Sequence, residues 1–127
     1  MKLATIVGVI LLLGSAAYAG DPAAAFQGFC NDWMHKLEVR EHDNVSHIRW
    51  QTMKDYVLGD YVGYTRDHKC ITKTGTASVP VGEITYREIR YEKRGTTIAE
   101  AQKSTPRPVE TTEVTEIFRY EKGKWIY

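Results

Sequence analysis

The chain has little cysteine, no excess of either charge and only one long apolar run, and each shortage narrows what it can be. Its two cysteines, Cys30 and Cys70, lie too far apart for the Cys-x-x-Cys spacing that tunes thiol reactivity. Lysine and arginine number 17 against 16 for aspartate and glutamate. That balance argues against nucleic acid as a partner, because binding it requires a concentrated basic patch. No nucleophile elbow, phosphate-cradling glycine loop, pair of active-site carboxylates or haem-attachment motif is present. No catalytic residue, metal or cofactor is therefore assigned from motifs.

The apolar run is N-terminal. Lys2 precedes Leu3 to Gly14, and Ser15-Ala-Ala-Tyr-Ala19 ends in the small-x-small pattern of a signal-peptidase site. About a dozen apolar residues fall short of the roughly twenty a membrane span needs. Residues 1–19 are thus expected to be a signal peptide and residues 20–127 a single α+β domain, periplasmic or secreted, with no membrane attachment after cleavage. Gly20 follows the cut, so no lipoprotein cysteine is available. In an oxidising compartment the two cysteines are expected to form a disulfide.

The stretch from Asp21 organises the rest. Asp21 is a good N-cap, Pro22 suits the first helical position, and Phe26, Phe29, Cys30, Trp33 and Leu37 recur at helical spacing. Gln27, Asn31, Asp32, Lys36 and Glu38 occupy the other side, which defines an amphipathic helix with one stripe to bury. It is expected to end in Glu41-His-Asp-Asn44, with Asn44 as a left-handed C-terminal cap. Asn44-Val-Ser46 is also a formal glycosylation sequon, meaningful only in a eukaryotic secretory host.

From His47 the period changes to two, and a strand is expected through Leu58. Gly59-Asp60 is expected to turn a hairpin, with Tyr61 to Lys73 as the returning strand carrying Cys70. The disulfide would then staple helix to sheet. Thr74 to Ser78 reads as a polar connection, and Pro80 fits the start of a strand. Between Glu83 and Lys93 the apolar residues Ile84 and Tyr86 have the opposite parity to Ile89 and Tyr91, which a bulge near Arg87-Glu88 would reconcile. Glu92 to Gly95 reads as a hairpin loop, Thr96 to Gln102 as a strand and Lys103 to Pro108 as a loop. A last strand runs from about Glu110 to Tyr120 and turns through Glu121 to Lys124. Two segments, Glu88 to Gly95 and Glu116 to Gly123, echo each other as hairpins with the same turn chemistry. The fold class expected is α+β: one N-terminal helix on a curved antiparallel sheet of about five or six strands.

Chemistry-bearing residues are present without a diagnostic pattern. Asp55, Asp60 and Asp67 flank the first hairpin and read as solvated carboxylates. His42, Asp43 and His47 could offer three ligands from one loop, with His35 and His68 elsewhere, yet the spacing is not diagnostic and a polar loop at a helix end explains them without a metal. The aromatic load says more. Trp33, Trp50, Tyr64, Tyr86 and Phe118 could line a cavity between helix and sheet, where apolar walls with a few hydroxyls would hold a small hydrophobic ligand.

The closing segment Ile117-Phe-Arg-Tyr-Glu-Lys-Gly-Lys-Trp-Ile-Tyr127, after a leading helix and long antiparallel strands, resembles the cystatin-like folds, above all the nuclear transport factor two-like (ketosteroid-isomerase-like) superfamily. The match in motif is confined to these last residues. The superfamily usually places further helices after the first, and here strand-like sequence follows, which leaves both an open cystatin-like grip and a reduced cone in play. The resemblance implies isomerases, dehydratases and hydrolases with Asp, Tyr or His in a pocket, and pairing into homodimers through the sheet face. The residues favour a non-catalytic binding module, using a concave sheet face, an apolar pocket or an exposed strand edge, for a small hydrophobic ligand or a protein. A small pocket enzyme is the alternative. An inhibitor or immunity-type protein is a third reading, with Thr74 to Val81 or Lys103 to Pro108 as its wedge.

Overall fold

The computed structural model describes residues 20–74 and 78–127. The expected signal peptide and the middle of the Thr74 to Ser78 connection lie outside the described residues. The elements are α1 (Pro22–Ser46), β1 (Trp50–Thr52), β2 (Val57–Tyr64), β3 (Lys69–Thr74), β4 (Pro80–Gly95), α2 (Ile98–Lys103), β5 (Arg107–Glu121) and β6 (Lys124–Ile126). The long helix packs on a curved, six-stranded antiparallel sheet, the α+β arrangement expected.

Helix α1 begins as its sequence dictates. Asp21 Oδ1 accepts the Ala23 amide at 3.1 Å and Pro22 occupies the first turn. Its end differs from expectation, because the helix continues to Ser46 with His47 as C-cap, and Asn44 has no positive φ. Asn44 is held instead by its side chain, whose Nδ2 donates to the Val62 carbonyl at 2.9 Å. The sequon asparagine is thereby engaged against the sheet.

The sheet is built on the long β4–β5 ribbon. One edge of β4 carries β3 along its N-terminal half and β2 along its C-terminal half, so these two strands lie end to end, joined by Thr65 to His68. β1 extends β2 beyond Val57 to Gly59, and β6 extends β5 at Arg119 to Glu121. The hairpin expected at Gly59-Asp60 is corrected: both residues lie inside β2, and the chain reverses earlier, where the Met53 amide donates to the Tyr56 carbonyl at 2.8 Å. The returning strand is accordingly interrupted between Tyr64 and Lys69. The Thr96 to Gln102 segment is also corrected. It holds helix α2, capped by Thr97, whose hydroxyl accepts the Glu100 amide at 3.2 Å. Pro80 does open a strand, and Lys122 and Gly123 turn the last hairpin with φ of 51° and 75°.

The parity change in β4 has a different cause from a bulge near Arg87-Glu88. β4 and β5 stay in unbroken register from Val81 to Arg90, and the shift falls between Arg90 and Tyr91. Gly82, Ile84 and Tyr86 face α1, with Phe26 seated so closely on Gly82 that a Cβ there would come under 3.0 Å from the ring. Strand alternation puts Ile89, Tyr91 and Gly95 on the opposite face, where Tyr61 stacks on Tyr91 at 5.2 Å and α2 closes on Gly95. A twisted ribbon covered from opposite sides at its two ends needs no inserted residue to account for the pattern.

Between α1 and the sheet the fully buried side chains are Phe26, Cys30, Ile84 and Phe118. Burial of each of Phe26, Ile84 and Phe118 stabilises the fold by about 1.5–3 kcal/mol. The Cys30–Cys70 disulfide joins α1 to β3 across a Cα separation of 6.5 Å. Trp125 of β6 donates its Nε1–H to the Pro22 carbonyl at 2.9 Å, which ties the end of the chain to the start of the helix.

Candidate binding surfaces

Four of the five aromatics expected to line a cavity come together, and they do so as packed matter. Trp33 meets Phe118 edge-on at 5.0 Å, and Tyr64 meets Tyr86 edge-on at 6.0 Å. Phe26, Phe29, Trp125 and Tyr127 complete an aromatic layer around them, with Phe29 to Phe118 at 4.8 Å and Phe26 to Trp125 at 4.7 Å. Trp50 is elsewhere. It covers Gly59 beside Ile48, apart from the main cluster. The residues buried among those described are all apolar or aromatic in type, with Tyr86 supplying the one hydroxyl.

That hydroxyl sits in a small polar group. Tyr86 Oη donates to Glu116 Oε1 at 3.3 Å, and the Trp33 Nε1–H lies near the Tyr86 oxygen without completing a hydrogen bond. Burial, reinforced by the Glu116 carboxylate, pushes the phenol up to about 12. At neutral pH it is a donor and not a base.

Open concave space lies beside the helix. A cleft of about 210 Å³ separates α1 from the Thr65 to His68 connection, with Met34, Leu37 and Tyr64 among its apolar lining. A shallower one of about 420 Å³ shares His35, Glu38, Glu41 and Arg66 with it and reaches Val39 and Val45. Between them Arg66 meets Glu38 at 2.7 Å, and the hydrogen bond to the guanidinium holds the Glu38 carboxyl below its ordinary range. Glu41 Oε1 accepts the Tyr64 amide at 2.6 Å. The histidines do not assemble with these carboxylates: among the described residues no group of three or more His, Cys, Asp or Glu is placed to hold a metal ion. His47 Nδ1 bonds the Asp43 carbonyl at 2.9 Å and His68 Nδ1 the Arg66 carbonyl at 2.7 Å. Asp55, Asp60 and Asp67 are exposed, Asp60 lying 3.5 Å from Arg90.

The sheet offers two edges with different treatment. On β2, residues 60–64 extend past β1, and Glu41 and Asn44 of α1 take the place of a neighbouring strand by bonding the Tyr64 amide and the Val62 carbonyl. On β5, residues 107–118 extend past β6. No strand pairs with that side of β5 among the described residues. Sequence reading missed this edge, since strand order cannot be read from periodicity, although the Glu110, Glu113, Glu116 spacing was visible.

The face of the sheet away from α1 presents Ile117, 65% exposed, in one cross-strand row with Ile71 and Glu83. Among the described residues no helix is long and apolar enough to cross a membrane. Compared with family models, curated proteins and solved structures, the chain matches none.

Proposed function

We propose that the chain is an exported, non-catalytic binding domain, periplasmic or secreted, which engages a partner through its sheet and not through an internal chamber. The observation that carries this reading is the filled interior. Phe26, Phe29, Trp33 and Phe118 occupy the space between helix and sheet in which a pocket enzyme of similar architecture would hold substrate. Export is supported by the leader-like residues 1–19 together with the Cys30–Cys70 bond. Membership in the nuclear transport factor two-like superfamily is part of the proposal, supported by the helix-on-curved-sheet arrangement and the closing aromatic-basic hairpin.

One observation favours a small pocket enzyme, of the isomerase or dehydratase kind, as the second reading. Tyr86 Oη–H and the unpartnered Trp33 Nε1–H are two donors able to hydrogen-bond an oxyanion, beside the acceptor carboxylate of Glu116. Tyr86 is only 6% exposed, which closes the cluster to substrate in this conformation.

The test is cross-linking and native mass spectrometry of the chain isolated from its own host. A stoichiometric partner linked to sheet residues supports the binding reading. Turnover of a small carbonyl substrate that is abolished by Tyr86→Phe would replace it with the enzyme reading.

A further inference from the structure

The open edge of β5 has a definite hydrogen-bonding polarity. Arg87 of β4 directs both its backbone groups toward the β2–β3 side, its amide donating to Thr65 Oγ1 at 3.0 Å and its carbonyl accepting the Thr65 amide at 2.9 Å. Its neighbours Tyr86 and Glu88 therefore point toward β5, where they pair with Val114 and Thr112. Alternation leaves the amides and carbonyls of Thr111, Glu113, Thr115 and Ile117 pointing outward, and none has a backbone partner among the described residues. The β2 edge obeys the same rule in reverse, since its outward Val62 and Tyr64 are the residues that Asn44 and Glu41 satisfy.

The charge along this edge is of one sign. From Val109 to Phe118 the only ionisable side chains are Glu110, Glu113 and Glu116. Glu110 is paired with Arg90 at 3.3 Å and Glu116 bonds Tyr86, while Glu113 meets no cation among the described residues. Two copies pairing edge to edge would set these carboxylates against one another, so the edge resists self-association. We infer that β5 accepts an extended, lysine- or arginine-bearing segment of a partner protein as an additional antiparallel strand, bonded at Thr111, Glu113, Thr115 and Ile117. This deepens the binding reading above and rests on it.

The probe is the synthetic peptide acetyl-Thr-Lys-Val-Lys-Thr-Lys-Val-Lys-Thr-amide, titrated into the whole exported chain while amide hydrogen exchange is followed by NMR. Protection is expected at Thr111, Glu113, Thr115 and Ile117, with affinity that falls as salt is raised. Thr115→Pro removes an outward amide that takes no part in pairing with β4, so the fold survives and detectable binding is lost. Should that variant unfold, the same peptide N-methylated on alternate residues tests the edge without altering the protein. Glu113→Lys is expected to weaken binding a few-fold. Equal binding of a glutamate-bearing peptide, unchanged binding by Thr115→Pro, or binding without protection of the edge amides would each overturn the inference. The broader reading fails separately, in the cross-linking experiment, if the chain from its host has no partner at any face.

Discussion

Replacing both Cys30 and Cys70 by alanine separates what the covalent link contributes from what packing contributes. The two residues are 40 apart in sequence. In the chain-entropy description, closing a loop of that size removes about 13 cal/mol/K from the unfolded ensemble, or about 4 kcal/mol at 25 °C. Alanine is the right substitute, because Cys30 is fully buried and serine would add an unsatisfied hydroxyl costing about 1–3 kcal/mol more. Urea unfolding of the double variant beside the native chain should show stability lower by about 4 kcal/mol. The slope against urea should rise, since an unlinked chain exposes more surface on unfolding. The melting temperature should fall by roughly 16 °C or more for a domain of this size. A loss below about 1 kcal/mol with an unchanged slope would show that the helix is held on β3 by packing alone.

Gly82→Ala should destabilise by about 1–3 kcal/mol in the same assay, because its Cβ would press on the fully buried Phe26 ring, which has no room to retreat; a neutral effect would mean the ring is loosely held. Tyr86 should titrate near 12 by ultraviolet absorbance. Its folded pKa lies above the ordinary value near 10, so its contribution is complete below that value and is lost as pH rises toward 12, a loss that Tyr86→Phe should abolish. Asn44→Ala and Glu41→Ala should each cost about 1 kcal/mol, and Glu41→Ala should speed exchange of the Tyr64 amide specifically, whereas Glu41→Gln, which keeps an acceptor, should restore much of its protection.

Local chemistry with short reach was legible in the sequence. The Asp21-Pro22 start of α1, the buried stripe through Phe26, Cys30 and Leu37, the Lys122-Gly123 turn and the disulfide are all settled by neighbours in sequence or by the count of cysteines. What failed depended on coverage by distant elements. Ile84 and Ile89 carry the same apolar label, but only Ile84 lies in the core cluster beneath α1 while Ile89 has the opposite strand parity, so periodicity alone suggested an inserted residue. Gly59-Asp60 has the composition of a turn, yet Gly59 is required where Trp50 and Ile48 lie against the strand. Thr97 and Glu100 carried a helix-cap signal that the short Ala- and Glu-rich segment obscured. Among the aromatics, composition could name Trp33, Tyr64, Tyr86 and Phe118 as neighbours, but not whether they enclose space or fill it.

The contrast between the two sheet edges connects fold to proposed function. Beyond β1, the fold places Glu41 and Asn44 one helical turn apart on α1, where they satisfy the outward groups of Tyr64 and Val62. Along β5 the outward groups from Thr111 to Ile117 are instead left to solvent and flanked with carboxylates. Packing does not demand Glu113, which lies on the surface away from the core, and threonine at that position would pair as well within β5. The joint effect of the carboxylates is to penalise a second identical edge while favouring a cationic one, which is a requirement of selective strand pairing and not of folding. Reversing this one charge should therefore narrow the preference: with Glu113→Lys the basic peptide should bind a few-fold less tightly and the acidic one more tightly than before, while urea stability stays within about 0.5 kcal/mol of the native chain, as for an ordinary surface substitution. If reversal altered stability and left peptide preference unchanged, the glutamates would serve the fold and the open edge would have no selectivity to explain.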